Sequence, residues 1–292
     1  MLGFAMIAVA NVLAGSTYPA QKLAMEGLPP GTISVLRTLV AMVLMAGFMR
    51  MRGIRFGGFS RSDLLRLTFL GVFAYGLPIW LGIVGVRLST ATNGSILVLL
   101  EPVVVVLLSW LVLRESIGVL KLVGVAFGLA GALTIVLEGA SLSDLTAGEH
   151  FTGNVILAIH GVLWGFYAPF VKPLVERGHD SVNVSLTTLV LTLLILVPVS
   201  VPELPTIESG PALASSLGYT MFLAVAGSFG ATILWITSLR YLPASTTVPF
   251  VFIQPLTGIL LGTWVLGESL SPAALVGGAL IGVGVLSVVL RR

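Results

Sequence analysis

Charge is what this sequence has least of. Only 9% of its 292 residues are Asp, Glu, Lys or Arg, against about a quarter in a soluble domain, so water is not the main solvent of this chain. Cysteine is absent, which excludes disulfides and thiolate chemistry. The three histidines, His150, His160 and His179, do not fall at metal-ligand spacing, and there is no cysteine to complete a zinc set. No GxxxxGK[ST] loop occurs, which argues against ATP-driven transport by this chain. GxSxG and HExxH are missing too, so an enzyme acting on lipid within the membrane would lack its nucleophile or zinc motif. The formal net charge of +3 comes from basic residues scattered between apolar runs, which argues against a nucleic-acid partner.

What is present is hydrophobic length. Apolar residues make up 57% of the chain and the mean hydropathy is +1.08. A helix needs about 20 mainly apolar residues to cross the hydrocarbon core. Ten such runs are found, at 2–22, 32–50, 64–86, 91–113, 117–138, 152–173, 182–200, 213–239, 245–266 and 271–290. They are long and do not alternate, and a backbone in lipid must satisfy its own hydrogen bonds, so helices are expected and strands are not. Turn residues mark the breaks, as in Gly27-Leu28-Pro29-Pro30-Gly31, Gly53 to Ser60 and Pro202 to Pro211. Ser271-Pro272 reads as a helix start. The first run lacks a basic region ahead of it and an obvious cleavage site after it, and is expected to be a retained span.

The chain also repeats itself. Glu101-Pro102 and Glu115 return 153 residues later as Gln254-Pro255 and Glu268. The same offset pairs Arg87 with Arg240, Gly124 with Gly277 and Gly131 with Gly284. Farther upstream an offset of 150 pairs Gly15 with Gly165, Pro19 with Pro169, Lys22 with Lys172 and Glu26 with Glu176. The expected organisation is a five-helix repeat over 1–139, a linker over 140–150, and a second five-helix repeat over 151–292.

With ten spans, one side of the membrane receives Arg50, Arg52, Arg55, Arg61, Arg66, Arg114, Lys121, Lys172, Arg177, Arg240, Arg291 and Arg292, twelve of the 15 basic residues. Lys22 and Arg87 are at span ends on the other side, and Arg37 lies inside a span. The positive-inside rule then places both termini in the cytoplasm of a cell with this protein in its inner membrane. Five spans per half is an odd number, so the second half enters the membrane inverted. That is a transporter architecture, with the substrate site near the midplane between the repeats.

Two five-helix halves, a Pro in the fourth and ninth spans, and a Glu closing each of them resemble the EamA family of the drug/metabolite transporter superfamily. The residues that carry the resemblance are Glu101-Pro102 with Glu115 and Gln254-Pro255 with Glu268. Size and aromatic residues in the first and sixth spans make the chain most similar to the YddG-type amino-acid exporters. The resemblance implies a ten-helix basket around a cavity lined mainly by spans 1, 3, 4, 6, 8 and 9, and an amino-acid substrate.

Several side chains are candidates for that cavity. Glu101 lies near the middle of span four, where an ionised carboxylate costs about 2.5–3.5 kcal/mol on insertion scales. It fits either a cavity group contacting an ammonium or proton, or a structural carboxyl beside the backbone freed by Pro102. Its repeat-mate Gln254 is neutral. His160 fits a packing residue or a proton relay, and Asn11 an interhelical contact or a substrate ligand. Trp164 and Tyr75 fall near the midplane, where the interfacial-anchor explanation fails and stacking on an apolar or aromatic solute is available. Tyr167 and Trp80 extend this aromatic set, whereas Trp110 and Trp264 read as anchors.

Pro19, Pro102, Pro169 and Pro255 interrupt backbone hydrogen bonding at repeat-related positions, as hinges or as static bends. The glycines of spans five and ten read as close helix packing. Glu115 and Glu268 read as caps for helix amides.

The sequence therefore describes an all-α polytopic membrane protein with no cofactor and no metal, whose partners are a small-molecule substrate and the lipid bilayer. The leading function is export of apolar or aromatic amino acids by alternating access. A multidrug or other metabolite permease with the same basket is the alternative.

Overall fold

The computed structural model describes residues 1–89, 97–136, 151–207, 210–266 and 272–289. Among them there is no strand. We label the helical rods in chain order. α1 is Leu2–Ala24 and α2 is Pro30–Met51. α3 starts as Arg61–Phe69, passes through the π-helix Leu70–Gly76 and continues as Leu77–Leu88. α4 is Leu100–Leu111 and α5 is Val119–Val136. α6 consists of Phe151–Trp164 and Tyr167–Glu176, and α7 is Ser181–Ser200 followed by the 3-10 turn Val201–Thr206. α8 runs through Pro211–Phe222, the π-helix Leu223–Ala231 and Thr232–Ser238. α9 consists of Ala244–Val251 and Ile253–Leu266, and α10 is Pro272–Val289.

Local chemistry accounts for the starts. Ser60 and Asp63 form a reciprocal capping box at α3, satisfying two orphan donors. The Asp180 carboxylate accepts from the Val182 and Asn183 amides at α7. Pro30 and Pro211 open α2 and α8, where a missing N–H costs nothing. Pro272 likewise opens α10, while Ser271, its expected cap, lies outside the described residues, as do the linker 140–150 and Glu268.

Among the described residues, five helical segments are long and apolar enough to cross a membrane: Pro30–Met51, Arg61–Gly85, Phe151–Glu176, Ser181–Leu204 and Pro211–Ser238. Shorter apolar helices accompany them at Leu2–Thr17, Leu100–Leu111, Val119–Thr134 and Leu275–Ser287. Large apolar side chains such as Val43, Leu65, Leu107, Leu194 and Leu275 face outward. A surface this apolar suits a hydrocarbon solvent rather than water.

α1 packs against α8 and α9, α3 against α6 and α7, α2 against α7 and α8, and α5 against α10. Several features recur at the sequence offset. The two π-helices start at Leu70 and Leu223, 153 residues apart (223 − 70). α4 starts at Leu100 and the second segment of α9 at Ile253, again 153 apart, each after a turn and each with its Pro as third residue. Pro102 and Pro255 thus sit in first turns, where the absent N–H leaves no carbonyl unpaired within the helix. The bend precedes the proline rather than being centred on it.

α6 breaks at Gly165 and Phe166, with Pro169 third in the segment that follows. α1 runs unbroken through the equivalent stretch that contains Pro19.

Among the described residues, ion pairs collect at one end of the rods. Asp63 meets Arg177 and, at 3.2 Å, His179 Nε2. Lys172 lies 3.5 Å from Glu115 and 3.4 Å from Glu176, and Arg240 3.9 Å from Asp180.

Candidate substrate site

The middle of α3, the break of α6 and the π-helix of α8 bring the candidate aromatics together. Tyr75 sits in the π-helix of α3, with its ring centroid 5.4 Å from Trp164 and 5.4 Å from Tyr167. Trp164 and Tyr167 flank the turn in α6 and are 6.4 Å apart, edge to face. His160, one turn earlier, lies edge-on to Trp164 at 6.3 Å. Such offset and edge-to-face arrangements are the favoured ones for aromatic rings. Trp80 is half-buried against the same cluster.

The backbone explains the arrangement. A π-helix leaves carbonyls without regular partners, and hydroxyls here supply them. Thr192 donates to the Gly71 carbonyl at 2.8 Å, and Thr232 to the Gly227 carbonyl at 3.3 Å. The Tyr75 and Thr232 hydroxyls share a hydrogen bond of 3.2 Å. That bond fixes the Tyr75 ring across the α3–α8 contact.

His160 is held by packing and by a hydrogen bond. Its Nδ1–H donates to the Pro78 carbonyl at 2.7 Å, and its ring lies against Gly82, where a Cβ would come within 2.6 Å. Asn11 is fully buried. Its Nδ2 donates to the Ile7 carbonyl at 2.8 Å, and its Oδ1 accepts from Gln254 Nε2 at 2.8 Å. Asn11 and Gln254 therefore form an α1–α9 crosslink.

Glu101, the repeat-mate of Gln254, differs from it. It is half-buried in the first turn of α4, and among the described residues its carboxylate has no hydrogen-bond or ion-pair partner. α4 reaches α6 at Gly165, where a Cβ would lie 3.1 Å from the Glu101 carbonyl oxygen and 2.4 Å from Val104 Cβ. In the other half Gly15 packs in the same way, 2.5 Å by the same measure from the Gln254 carbonyl oxygen.

Glu115 is a cap, though not of the helix that follows it in sequence. Its carboxylate accepts from the Ala244 and Ser245 amides at 2.8 and 3.0 Å and from the Ser245 hydroxyl at 2.5 Å. It closes the N-terminus of α9, in the other half of the chain. Burial pushes its pKa up, but the Ser245 and Ala244 hydrogen bonds and the Lys172 ammonium outweigh that and hold it below the usual carboxylate range. Lys121 Nζ donates to the same Ser245 hydroxyl at 2.7 Å. A surface pocket lined by Trp110, Leu111, Arg114, Glu115, Ser116 and Ile117 lies at this end of α4, away from the aromatic cluster.

One functional candidate was not picked out in the sequence. Arg37, in α2, turns into the protein, and its Nε donates to the Ser228 hydroxyl at 2.9 Å. In the sequence Arg37 stands out only as a charge inside an apolar run. The rule that intramembrane ionisable groups are functional by default marks it as strongly as Glu101.

The EamA-like transporter family model matches residues 1–137 and 151–290. The chain belongs to the EamA-like transporter family. A Bacillus subtilis (strain 168) protein named "Uncharacterized transporter YetK" is 25% identical over 297 residues, covering 100% of this chain and 88% of the relative. A "Probable terminal-alkyne amino-acid exporter" of Streptantibioticus cattleyicolor is 28% identical over 275 residues, covering 93% and 88%. The "Uncharacterized inner membrane transporter YedA" of Escherichia coli (strain K12) is 24% identical, covering 89% and 81%. A protein of known crystal structure superposes with a TM-score of 0.80 at 18% identity, over 99% of this chain and 96% of the other, which establishes the shared fold. The chain is thus a membrane-embedded member of a transporter family, and a transporter acts on a small-molecule substrate.

Proposed function

We propose that this EamA-family transporter exports amino acids with apolar or aromatic side chains, by alternating access and without ATP. Its ten rods cross the inner membrane as two inverted five-helix halves, with both termini in the cytoplasm. The observation that carries the reading is the convergence of Tyr75, Trp164 and Tyr167 on the π-helical middle of α3 and the break of α6. Tyr75 and Tyr167 are buried, at 5% and 6% exposed, and back the partly buried Trp164 and Trp80, whose rings are the ones available to stack on an apolar side chain or meet an amine by cation–π contact. Glu101, without a partner among the described residues, adds a carboxylate that an ammonium group would satisfy.

The repeat of π-helices and helix breaks at a constant offset supports two copies of one unit. So does the match of the family model to residues 1–137 and 151–290. The difference between unbroken α1 and broken α6 supports a cycle in which the halves exchange conformations, with the stretches around Pro19 and Pro169 as hinges. Inverted repeats of this kind place their site at the repeat interface and rock around it. The name of the Streptantibioticus cattleyicolor relative is in keeping with an amino-acid substrate.

The test is counterflow in proteoliposomes loaded with unlabelled amino acids, with labelled phenylalanine outside. Protein-dependent tracer uptake that requires a loaded apolar or aromatic amino acid is the expected result. No counterflow with any amino acid, while a control transporter works, would overturn the substrate and leave a drug or other metabolite permease.

A further inference from the structure

Arg37 is a cation within the rods that the aromatic site does not explain. An arginine carries five N–H donors in a planar fork and is charged at any physiological pH. Here the Nε–H is used by the Ser228 hydroxyl at 2.9 Å. Among the described residues no carboxylate forms an ion pair with it, and its terminal nitrogens make no hydrogen bond. The side chain is half-buried while Ser228 beside it is 1% exposed, so the guanidinium lies between the packed interior and an accessible face.

The surroundings keep the fork open. Its Nη2 lies 2.9 Å from where a Cβ would stand on Gly227, so any side chain at that position would displace the guanidinium. Thr17 of α1 faces the same glycine at 2.9 Å. The Gly227 carbonyl accepts from Thr232, and Thr232 shares a hydrogen bond with Tyr75, the first ring of the aromatic cluster. A partnerless cation is costly at this depth, and a planar fork is matched by a carboxylate.

We propose that Arg37 binds the carboxylate of the transported solute, so that the substrate class is an aromatic or apolar monocarboxylate with Arg37 at its acidic end and Trp164 along its side chain. This deepens the amino-acid reading above and rests on it for the transport step. Binding is separable from that reading.

The experiment measures binding and counterflow of three probes by the purified full-length protein: phenylalanine, phenylalaninamide and 3-phenylpropionate. Wild-type protein is expected to bind phenylalanine and 3-phenylpropionate at least about tenfold more tightly than the amide, the scale of a charge-assisted hydrogen bond. Arg37→Gln is expected to abolish that preference while leaving amide binding within about twofold. Arg37→Lys, which keeps the charge without the fork, is expected to retain part of it and controls for a folding defect in the glutamine variant. If wild-type protein shows no preference for the carboxylates, or Arg37→Gln weakens all three probes equally, the proposal is overturned even if counterflow works. If the carboxylate preference depends on Arg37 but no amino acid supports counterflow, the anion site stands and the exporter reading fails.

Discussion

Gly131 of α5 lies so close to α10 that a Cβ on it would stand 2.5 Å from the carbonyl oxygen of Gly277. The reciprocal contact exists as well: a Cβ on Gly284 would stand 2.7 Å from the carbonyl oxygen of Gly124. Because 124 pairs with 277 and 131 with 284 at the 153-residue offset, the same contact is made twice, once from each helix. Small residues let helix backbones meet at this distance where lipid offers no hydrophobic drive.

Alanine at either glycine should therefore be costly. Gly131→Ala and Gly284→Ala are each expected to destabilise by about 1–3 kcal/mol, the range for overpacking. Gly282→Ala, with nothing within 4 Å of the added atom, is expected to be neutral or slightly stabilising. Thermal unfolding midpoints in detergent separate the three, and equal midpoints would mean that the two helices do not meet at these glycines.

The Glu115 cap gives a pH signature. Its pKa is lowered on folding, chiefly by the Ser245 and Ala244 hydrogen bonds and the Lys172 ammonium acting against burial. Its contribution is thus present above the ordinary carboxylate value of 4.5 and lost as pH falls below it. Glu115→Gln is expected to cost about 1.5–3 kcal/mol at pH 7, the worth of hydrogen bonds to a charged group. The gap between variant and wild type should shrink as pH drops through the acid range. A pH-independent gap in unfolding midpoints would remove the charge from the explanation.

Trp164→Ala should raise the phenylalanine concentration for half-maximal counterflow about tenfold, which is about 1.4 kcal/mol, the scale of an aromatic contact. The value for leucine should change less, since leucine offers no ring to stack. Equal shifts for both solutes would make Trp164 a packing residue.

Glu101→Gln separates binding from architecture. With no partner for its carboxylate among the described residues, the substitution is expected to leave the unfolding midpoint unchanged and to cut phenylalanine counterflow at pH 7 at least about tenfold. A lowered midpoint with transport intact would return Glu101 to a structural role.

Much of this was legible in the sequence because lipid simplifies the code. Long apolar runs had to be helices, and the described rods fall on them. The offset that paired Glu101 with Gln254 and Gly131 with Gly284 also locates the two π-helices and the two breaks ahead of Pro102 and Pro255. Tyr75, Trp164, Tyr167 and His160 could be named as a set but not assembled, since their meeting depends on how α3 and the break of α6 pack. Partnership was the hidden quantity. Asn11 and Gln254 bond each other, Glu115 caps a helix 129 residues away, and among the described residues Arg37 finds only a serine. Spacing along one chain carries no record of which distant groups a fold brings within 3 Å.

The measurement that bears most directly on the proposed inversion of the two halves uses the absence of cysteine. Leu88 and Tyr241 are 153 positions apart and about equally exposed, at 46% and 50%. Single variants Leu88→Cys and Tyr241→Cys can be labelled in intact cells with a membrane-impermeant maleimide. We expect Leu88→Cys to react from outside, and Tyr241→Cys only after the membrane is opened. Labelling of both from the same side would contradict the inversion and, with it, the exchange of conformations between halves on which the transport cycle depends.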